Sequence, residues 1–189
     1  MNNKPILFNT EMVRAILEGR KTQTRRIIKP QPTNPRWNNI GWLGWDNGHG
    51  YHMKPPCEVD DVLWVRETWS THYDGIHDDL QFCYKADGID LKSECLPGEC
   101  NRWWPSIHMP KEAARIFLKV KDVRVERLRD MTDFDLSNEG FGDWIRFISL
   151  WNSTIKPDAC DKYDWNANPW VWVIEFERCE KPEGWYLHE

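Results

Sequence analysis

Residues 19–26 read Gly19-Arg20-Lys21-Thr22-Gln23-Thr24-Arg25-Arg26. They follow an apolar run with helical spacing and precede a Pro-rich segment, which predicts the exit of a first helix and the start of a strand. Between Gly19 and Trp45 there are six basic residues and no acidic one, in a chain whose net charge is -5. A local basic patch on an acidic protein indicates either a site for an anionic or nucleoside ligand or a solvated strand end.

Composition limits the classes of partner. The pI of about 5.7 disfavours duplex binding by charge alone, because such proteins carry broad basic surfaces. Most of the thirteen tryptophans should lie in or near a core, although one or two could stack on a base. No signal peptide and no apolar run of about 20 residues is evident, so we expect a soluble cytoplasmic protein with reduced cysteines and no membrane partner.

Hydrophobic periodicity predicts several strands and few helices. The predicted strands are Lys4–Phe8, Thr22–Ile28, Val62–Trp69, Leu80–Tyr84, Ile116–Leu128 and Trp170–Phe176. Helices should start at Thr10 as N-cap, at Thr132 with Asp135 as a capping box, and near Trp144. Residues 33–56 and His72–Asp79 are interpreted as loops. This mixture without strict alternation predicts an α+β fold with a mostly antiparallel sheet that could close into a barrel.

Four segments carry a family resemblance. They are residues 19–26, Val62-Leu63-Trp64-Val65-Arg66-Glu67-Thr68-Trp69, Ser106-Ile107-His108-Met109-Pro110 and Asn166-Ala167-Asn168-Pro169-Trp170-Val171-Trp172-Val173. Together they resemble ASCH-domain proteins of tailed phages and prophages, over Lys4 to about Arg178. The resemblance implies a PUA-like, mostly antiparallel β-barrel with a few short helices, a bacterial host cytoplasm, and RNA, nucleoside or nucleotide ligands. It also implies one ASCH domain over 1–180 with insertions at about 33–56 and 70–104, and a tail at 181–189.

Within that family, the chain is similar to small amidohydrolases that deacetylate acetylcytidine with a Lys–Thr–Glu triad. Their pattern Gly-x-Lys-x-x-Thr-x-Arg occurs here as Gly19, Lys21, Thr24 and Arg26. The resemblance therefore implies Lys21 and Thr24 as catalytic residues. The family's glutamate lies in a short helix after a long strand, and Glu139 is the best match. No cofactor is implied.

A catalytic role for Lys21 requires a lowered pKa and a position close to Thr24. A threonine hydroxyl is a weak nucleophile until a neighbour removes its proton, so Lys21 must have a pKa well below about 10.4. Burial and nearby arginines lower a lysine pKa, whereas Glu139 would raise it. Thr24 and Arg26 share a strand face, but Lys21 has the opposite parity to Thr24 and can join them only from a turn. The alternatives are a solvated lysine, an ordinary strand threonine and a surface carboxylate.

Five further residues are predicted to bind the substrate: Arg25, Arg26, Trp64, Glu67 and Trp69. Glu67 is also a rival for the site carboxylate; otherwise it should form a salt bridge with Arg66 or Arg26. Cys83, Cys95, Cys100 and His108 could bind zinc, but their spacing is irregular and lacks a CxxC pair, so we predict no metal.

Three functions remain open from the sequence. The first is a hydrolase that cleaves an amide on an acylated or modified pyrimidine nucleoside or nucleotide. The second is a non-catalytic PUA-like module that binds single-stranded RNA or a modified base through arginines and aromatic rings. The third is a phage factor that binds a host protein through the two insertions. The sequence predicts no oligomeric state.

Overall fold

The structure, a computed structural model, describes residues 2–38, 41–46, 49–74, 79–91 and 102–185. Its strands are β1 (Asn3–Leu7), β2 (Gln23–Ile27), β3 (Thr33–Asn38), β4 (Gly41–Asp46), β5 (His49–Met53), β6 (Val62–Arg66), β7 (Trp69–Asp74), β8 (Asp79–Tyr84), β9 (Phe117–Arg127) and β10 (Trp170–Cys179). Its α-helices are α1 (Thr10–Leu17), α2 (Asp133–Asn138), α3 (Trp144–Ser153) and α4 (Cys160–Tyr163). None of these helices has the length and apolar character to cross a membrane.

Strand pairing is mostly antiparallel. Pairs with a described register are antiparallel for β2 with β10, β3 with β4, β4 with β5, β6 with β9 and β7 with β8. The exception is β1, which runs parallel to β6 from Asn3 opposite Val62 to Leu7 opposite Arg66. The predicted α+β class with a mostly antiparallel sheet is therefore confirmed.

The chain divides into two compact units. The first comprises Met1–Gly19, Asp61–Lys119 and Glu177–Glu189, and the second comprises Arg20–Asp60 and Val120–Phe176. Strand β6 belongs to the first unit, and most of β10 belongs to the second. The single ASCH domain over 1–180 stays a prediction.

In the first unit, the N-cap of α1 lies one residue before the predicted cap. The side chain of Asn9, not that of Thr10, accepts a hydrogen bond from the backbone N–H of Met12 at 2.8 Å. An Asn side chain is as good a cap as Thr, so the helix simply starts with Thr10 as its first residue. Gly19 then adopts the predicted left-handed conformation, with φ of +74°, directly after the C-cap Glu18.

Two predictions for the first unit are wrong. The apolar stretch Val62–Trp69 is not one strand, because β6 ends at Arg66 and β7 starts at Trp69. The segment His72–Asp79 is not a loop throughout, since β7 runs to Asp74 and pairs with β8. The hairpin of β7 and β8 contains polar residues, so the hydrophobic pattern did not predict it. Its packing starts at Trp69, whose ring lies 5.8 Å from that of Phe82 in an edge contact.

In the second unit, β2 pairs with β10 and α3 covers a core. The register places Thr24 opposite Ile174 and Arg26 opposite Trp172. Helix α3 has Asp143 as N-cap and buries Phe147 and Trp151 in the same cluster as Leu128, Val171 and Val173. The predicted capping box at Thr132 is confirmed, with both of its reciprocal hydrogen bonds to Asp135 present.

The predicted loop at 33–56 is wrong. Its described residues form an antiparallel three-stranded sheet, β3-β4-β5, in which Trp42 is opposite Met53. The ring of Trp42 meets that of Trp172 edge-on, with centroids 6.1 Å apart. One of the glycines that suggested a loop, Gly44, serves packing instead: a Cβ on Gly44 would lie 2.8–2.9 Å from Met53, Pro32 and Tyr51.

Candidate active site

Lys21 and Glu139 form a buried ion pair in the second unit. The ammonium of Lys21 lies 2.7 Å from Glu139 Oε2, and the two side chains are 0% and 2% exposed. Lys21 Nζ also donates to the backbone carbonyls of Glu139 at 2.9 Å and Gln23 at 2.8 Å. Three acceptors match the three N–H groups of an ammonium, so Lys21 is held in one position.

Local sequence explains why these residues meet. Lys21 and Glu139 form an isolated antiparallel β-bridge, and Thr22 N donates to Asn138 O at 2.8 Å beside it. Glu139 is the C-cap of α2, a helix of six residues that starts at the capping box. Gly140 follows with φ of +87°, which ends the helix and turns the chain away. Lys21 precedes β2 and lies in this β-bridge, not in the turn that its parity relative to Thr24 called for, so that the approach of Lys21 to Thr24 stays a prediction.

Arg25 supplies a second cation to Glu139. Its Nη1 donates to Glu139 Oε1 at 3.2 Å, so that each oxygen of this carboxylate faces a different cation. Its Nη2 lies 3.3 Å from both Glu126 Oε2 and Asp135 Oδ1. The side chain of Arg25 is 1% exposed, and its Nε has no hydrogen-bond partner among the described residues.

Thr24 and Arg26 share one face of β2, as predicted. Arg26 Nη1 donates to Thr24 Oγ1 at 3.0 Å, and Thr24 is buried. The guanidinium therefore fixes the hydroxyl that the resemblance implies as nucleophile. Burial lowers the pKa of Arg26, and Glu139 opposes that shift, but a guanidinium remains charged in proteins.

The surroundings lower the pKa of Lys21. Burial is the largest influence and lowers the pKa of Lys21; the charge and hydrogen bond of Glu139 raise it, and the charges of Arg26 and Arg25 lower it further. The balance leaves the pKa of Lys21 below its ordinary value. A lysine with a lowered pKa gives up its proton more readily than an exposed lysine, which favours a role as a general base.

Carboxylates outside the ion pair complete the network. Burial alone would raise the pKa of Asp135, but hydrogen bonds from Gln23 and Thr132 and the charge of Arg25 hold it well below its ordinary value. Arg124 donates to Glu126 and Glu175 and lies 3.2 Å from Asp122. The arginines here are thus matched by acids from β9, α2 and β10.

The basic stretch that opens the second unit is not one exposed patch. Lys21 and Arg25 are buried and Arg26 is half-buried, whereas Arg20, Lys29 and Arg36 are exposed. Three of its six cations are therefore withdrawn at least partly from solvent. Its charge serves internal ion pairs as well as the surface.

Glu67 lies in the first unit with a partner that the sequence did not suggest. Its carboxylate accepts from Arg115 Nε at 2.9 Å and from Arg115 Nη2 at 3.1 Å, in place of Arg66 or Arg26. Burial raises the pKa of Glu67, although Arg115 opposes that shift. Arg115 also binds Asp87 through two contacts of 2.8 Å. Contact of Glu67 with a ligand stays a prediction.

Trp64 and Trp69, also in the first unit, take part in aromatic packing. Trp64 is buried, and its ring lies 5.9 Å from that of Trp185 in an edge contact. Trp69 stacks on Trp104 with centroids 6.4 Å apart. Their predicted contact with a substrate remains a prediction.

The described residues contain no group of three His, Cys, Asp or Glu that could hold a metal ion. Cys83 is buried and His108 is exposed. Cys95 and Cys100, the other two residues of the weak zinc pattern, lie outside the described residues.

Sequence reasoning missed Gln23, Glu126 and Asp135 as parts of the site. Gln23 has the parity of Lys21 and Arg25, and that alternation could have included it. Asp135 was noticed only as a cap, yet a cap residue on a helix beside cations can serve both purposes. Glu126 carried no signal, because it meets Arg25 from a strand about a hundred residues away.

Comparisons of the chain with protein-family models, with curated proteins and with solved structures gave no match. What the site can do must therefore be argued from its own geometry.

Proposed function

We propose that this protein is an amidohydrolase of the ASCH type, with a PUA-like barrel, that cleaves an amide on an acylated or modified pyrimidine nucleoside or nucleotide. One observation carries the proposal: a fully buried lysine, fixed by Glu139 and flanked by two arginines, whose pKa is lowered. Such an arrangement is costly to bury and supports a role in proton transfer.

The reaction starts with Thr24. The neutral amine of Lys21 takes the proton of the Thr24 hydroxyl, whose oxygen attacks the acyl carbonyl. Arg26, bonded to Thr24 Oγ1, stabilises negative charge that develops there. The C–N bond breaks, the leaving amine takes the proton from Lys21, and the acyl group stays on Thr24 as an ester.

Water completes the cycle. Lys21, neutral again, takes a proton from a water molecule that attacks the ester carbonyl. The bond to Thr24 Oγ breaks, the threonine regains its proton, and a carboxylic acid leaves. Glu139 keeps Lys21 in place through both halves and is not consumed.

The surroundings of Lys21 and Arg25 favour this role over that of an RNA-binding module. Binding to a phosphate backbone draws on exposed cations, whereas Lys21 and Arg25 are buried and already paired with carboxylates. Glu126, Asp135 and Glu175 would also repel a polyanion. A small acylated base is the better match.

The test is turnover of a panel of acylated and alkylated nucleosides by purified protein, read by mass spectrometry. We expect release of a free acid and the parent nucleoside from an acylated member. Thr24→Val keeps the shape but removes the nucleophile, so its rate should fall at least about a hundredfold. Thr24→Ser keeps the hydroxyl and should retain a measurable rate, with a mass increment of one acyl group trapped at low pH. Wild-type turnover by Thr24→Val would contradict the proposed mechanism.

A further inference from the structure

Arg25 is committed to the protein's own carboxylates. Its buried guanidinium meets Glu126 from β9, Asp135 from α2, and Glu139 at the end of α2, at 3.2–3.3 Å. A planar guanidinium can reach several carboxylates at once, which an ammonium cannot do in the same way. These contacts pair the guanidinium of Arg25 with carboxylates of the protein itself, and its contact with a substrate stays a prediction.

Of these contacts, the hydrogen bond from Arg25 to Glu139 is the one that affects Lys21. Lys21 holds Oε2 and Arg25 holds Oε1, so the carboxylate is fixed at both ends. Without Arg25, Oε1 would lose its charged donor in a buried site, at a cost in free energy. The carboxylate would then be free to rotate and bring both oxygens to Lys21.

We propose that Arg25 is a positioning residue that holds Glu139 by Oε1, so that Lys21 meets a single carboxylate oxygen in a fixed geometry. Its catalytic meaning rests on the proposed function. The charged groups that face Lys21 are Glu139, Arg26 and Arg25. Burial lowers the pKa of Lys21, Glu139 raises it, and Arg26 and Arg25 lower it. Loss of Arg25 therefore removes one influence that lowers the pKa and strengthens the one that raises it.

The experiment follows the titration of Lys21 itself. In protein labelled with ¹⁵N-lysine, the Nζ signal of Lys21, assigned by its loss in Lys21→Arg, is titrated without any substrate. Arg25→Gln should raise its midpoint by about one pH unit, the usual size of a neighbouring-charge effect. Arg25→Lys keeps the charge but loses the planar fork, so its midpoint should rise by only a few tenths of a unit. The acid limb of the pH–rate profile should move in parallel.

Arg124→Gln is the matched control. It removes the same charge beside Glu126 and Asp135, but among the described residues Arg124 forms its ion pairs with Asp122, Glu126, Asp135 and Glu175 and not with Glu139. In Arg124→Gln, the titration midpoint of Lys21 should stay at the wild-type value. If the midpoint of Lys21 shifts equally in Arg124→Gln and Arg25→Gln, the shift comes from the loss of a nearby positive charge in general. That result would overturn the positioning role of Arg25.

An unchanged midpoint in Arg25→Gln would overturn the inference directly. If Arg25→Gln does not fold, the same titration of Lys21 is carried out on Arg25→Lys. An unchanged midpoint in Arg25→Lys would also overturn the inference. The two proposals fail separately. A shifted midpoint without hydrolysis of any nucleoside rejects the proposed function alone, and hydrolysis without a shift rejects the role of Arg25 alone.

Discussion

Glu139 is the residue on which the proposed chemistry depends most. Glu139→Gln keeps the volume but removes the charge that fixes Lys21, so we expect kcat/KM to fall about a hundredfold or more. The change also leaves Lys21 and Arg25 facing one another with less compensation, and some loss of melting temperature should accompany it. Steady-state kinetics and thermal melts of the same preparation measure both.

Glu67→Gln tests the alternative hypothesis about the site carboxylate. If Glu67 is the site carboxylate, this change should reduce the rate and Glu139→Gln should not. The partner of Glu67 is Arg115, which binds it through two hydrogen bonds. We therefore expect the larger kinetic loss in Glu139→Gln, and full activity in that variant would remove Glu139 from the site.

The sequence predicted the residues of the ion pair better than its environment. The family resemblance implied Lys21 through its motif, and it implied Glu139 through its short helix after a long strand. The counter-charges on Arg25 did not, because Glu126 and Asp135 come from segments about a hundred residues further along the chain. A local pattern contains no information on which distant carboxylates the fold will place beside an arginine, so the ion pairs of Arg25 could not be predicted.

Among the elements, those with strong local signals were predicted well. Helix α1 with its left-handed Gly19, the capping box of α2 and the apolar β10 all agree with their patterns. The sheet β3-β4-β5 was missed because its glycines and asparagines lower β-propensity. Side-chain packing, such as Trp42 on Trp172, overrides that propensity.

Gly44 tests that packing. A Cβ at this position would lie 2.8 Å from Met53 Sδ and 2.9 Å from Pro32 Cβ, which is closer than real Cβ contacts. Gly44→Ala should therefore destabilise the protein by about 1–3 kcal/mol, the usual cost of overpacking. Denaturant unfolding measures this change.

Gly142→Ala is the matched control for that substitution. Its Cβ would meet nothing within 4 Å, and Gly142 has no positive φ. Its stability should stay within about 0.5 kcal/mol of wild type. Equal stability of the two variants would mean that β4 has room at Gly44.

At the scale of the whole molecule, the fold class followed from the mixture of elements, whereas the division into two units did not. Both units are built from segments that are distant in the sequence, such as Arg20–Asp60 with Val120–Phe176. Hydrophobic periodicity identifies the face that each strand buries, but it does not determine its partner strand. The order of strands therefore needed the structure.

Two carboxyl groups, half-buried Asp135 in the second unit and buried Glu67 in the first, should give the molecule opposite responses to pH. The pKa of Asp135 is below its ordinary value of 3.8 in the fold, so its contribution to stability is present above that pH and is lost as the pH falls through the folded pKa. The pKa of Glu67 is above its ordinary value of 4.5, chiefly because of burial and despite Arg115, while Asp87 adds to the rise. Its contribution is therefore present at acid pH and is lost as the pH rises through the folded pKa.

Melting temperatures of wild type, Asp135→Asn and Glu67→Gln across pH test both signs. Relative to wild type, Asp135→Asn should become less stable as the pH rises from about 3 to 5, since only the wild type gains the ionised carboxylate. Glu67→Gln should become more stable relative to wild type as the pH rises above 4.5, because a glutamine at this buried position never ionises. Each kcal/mol corresponds to about 2–4 °C for a chain of this length. If the difference in melting temperature between Glu67→Gln and wild type does not change with pH, Arg115 fully compensates the buried charge of Glu67. If the difference between Asp135→Asn and wild type does not change with pH, Gln23, Thr132 and Arg25 do not favour the ionised form of Asp135.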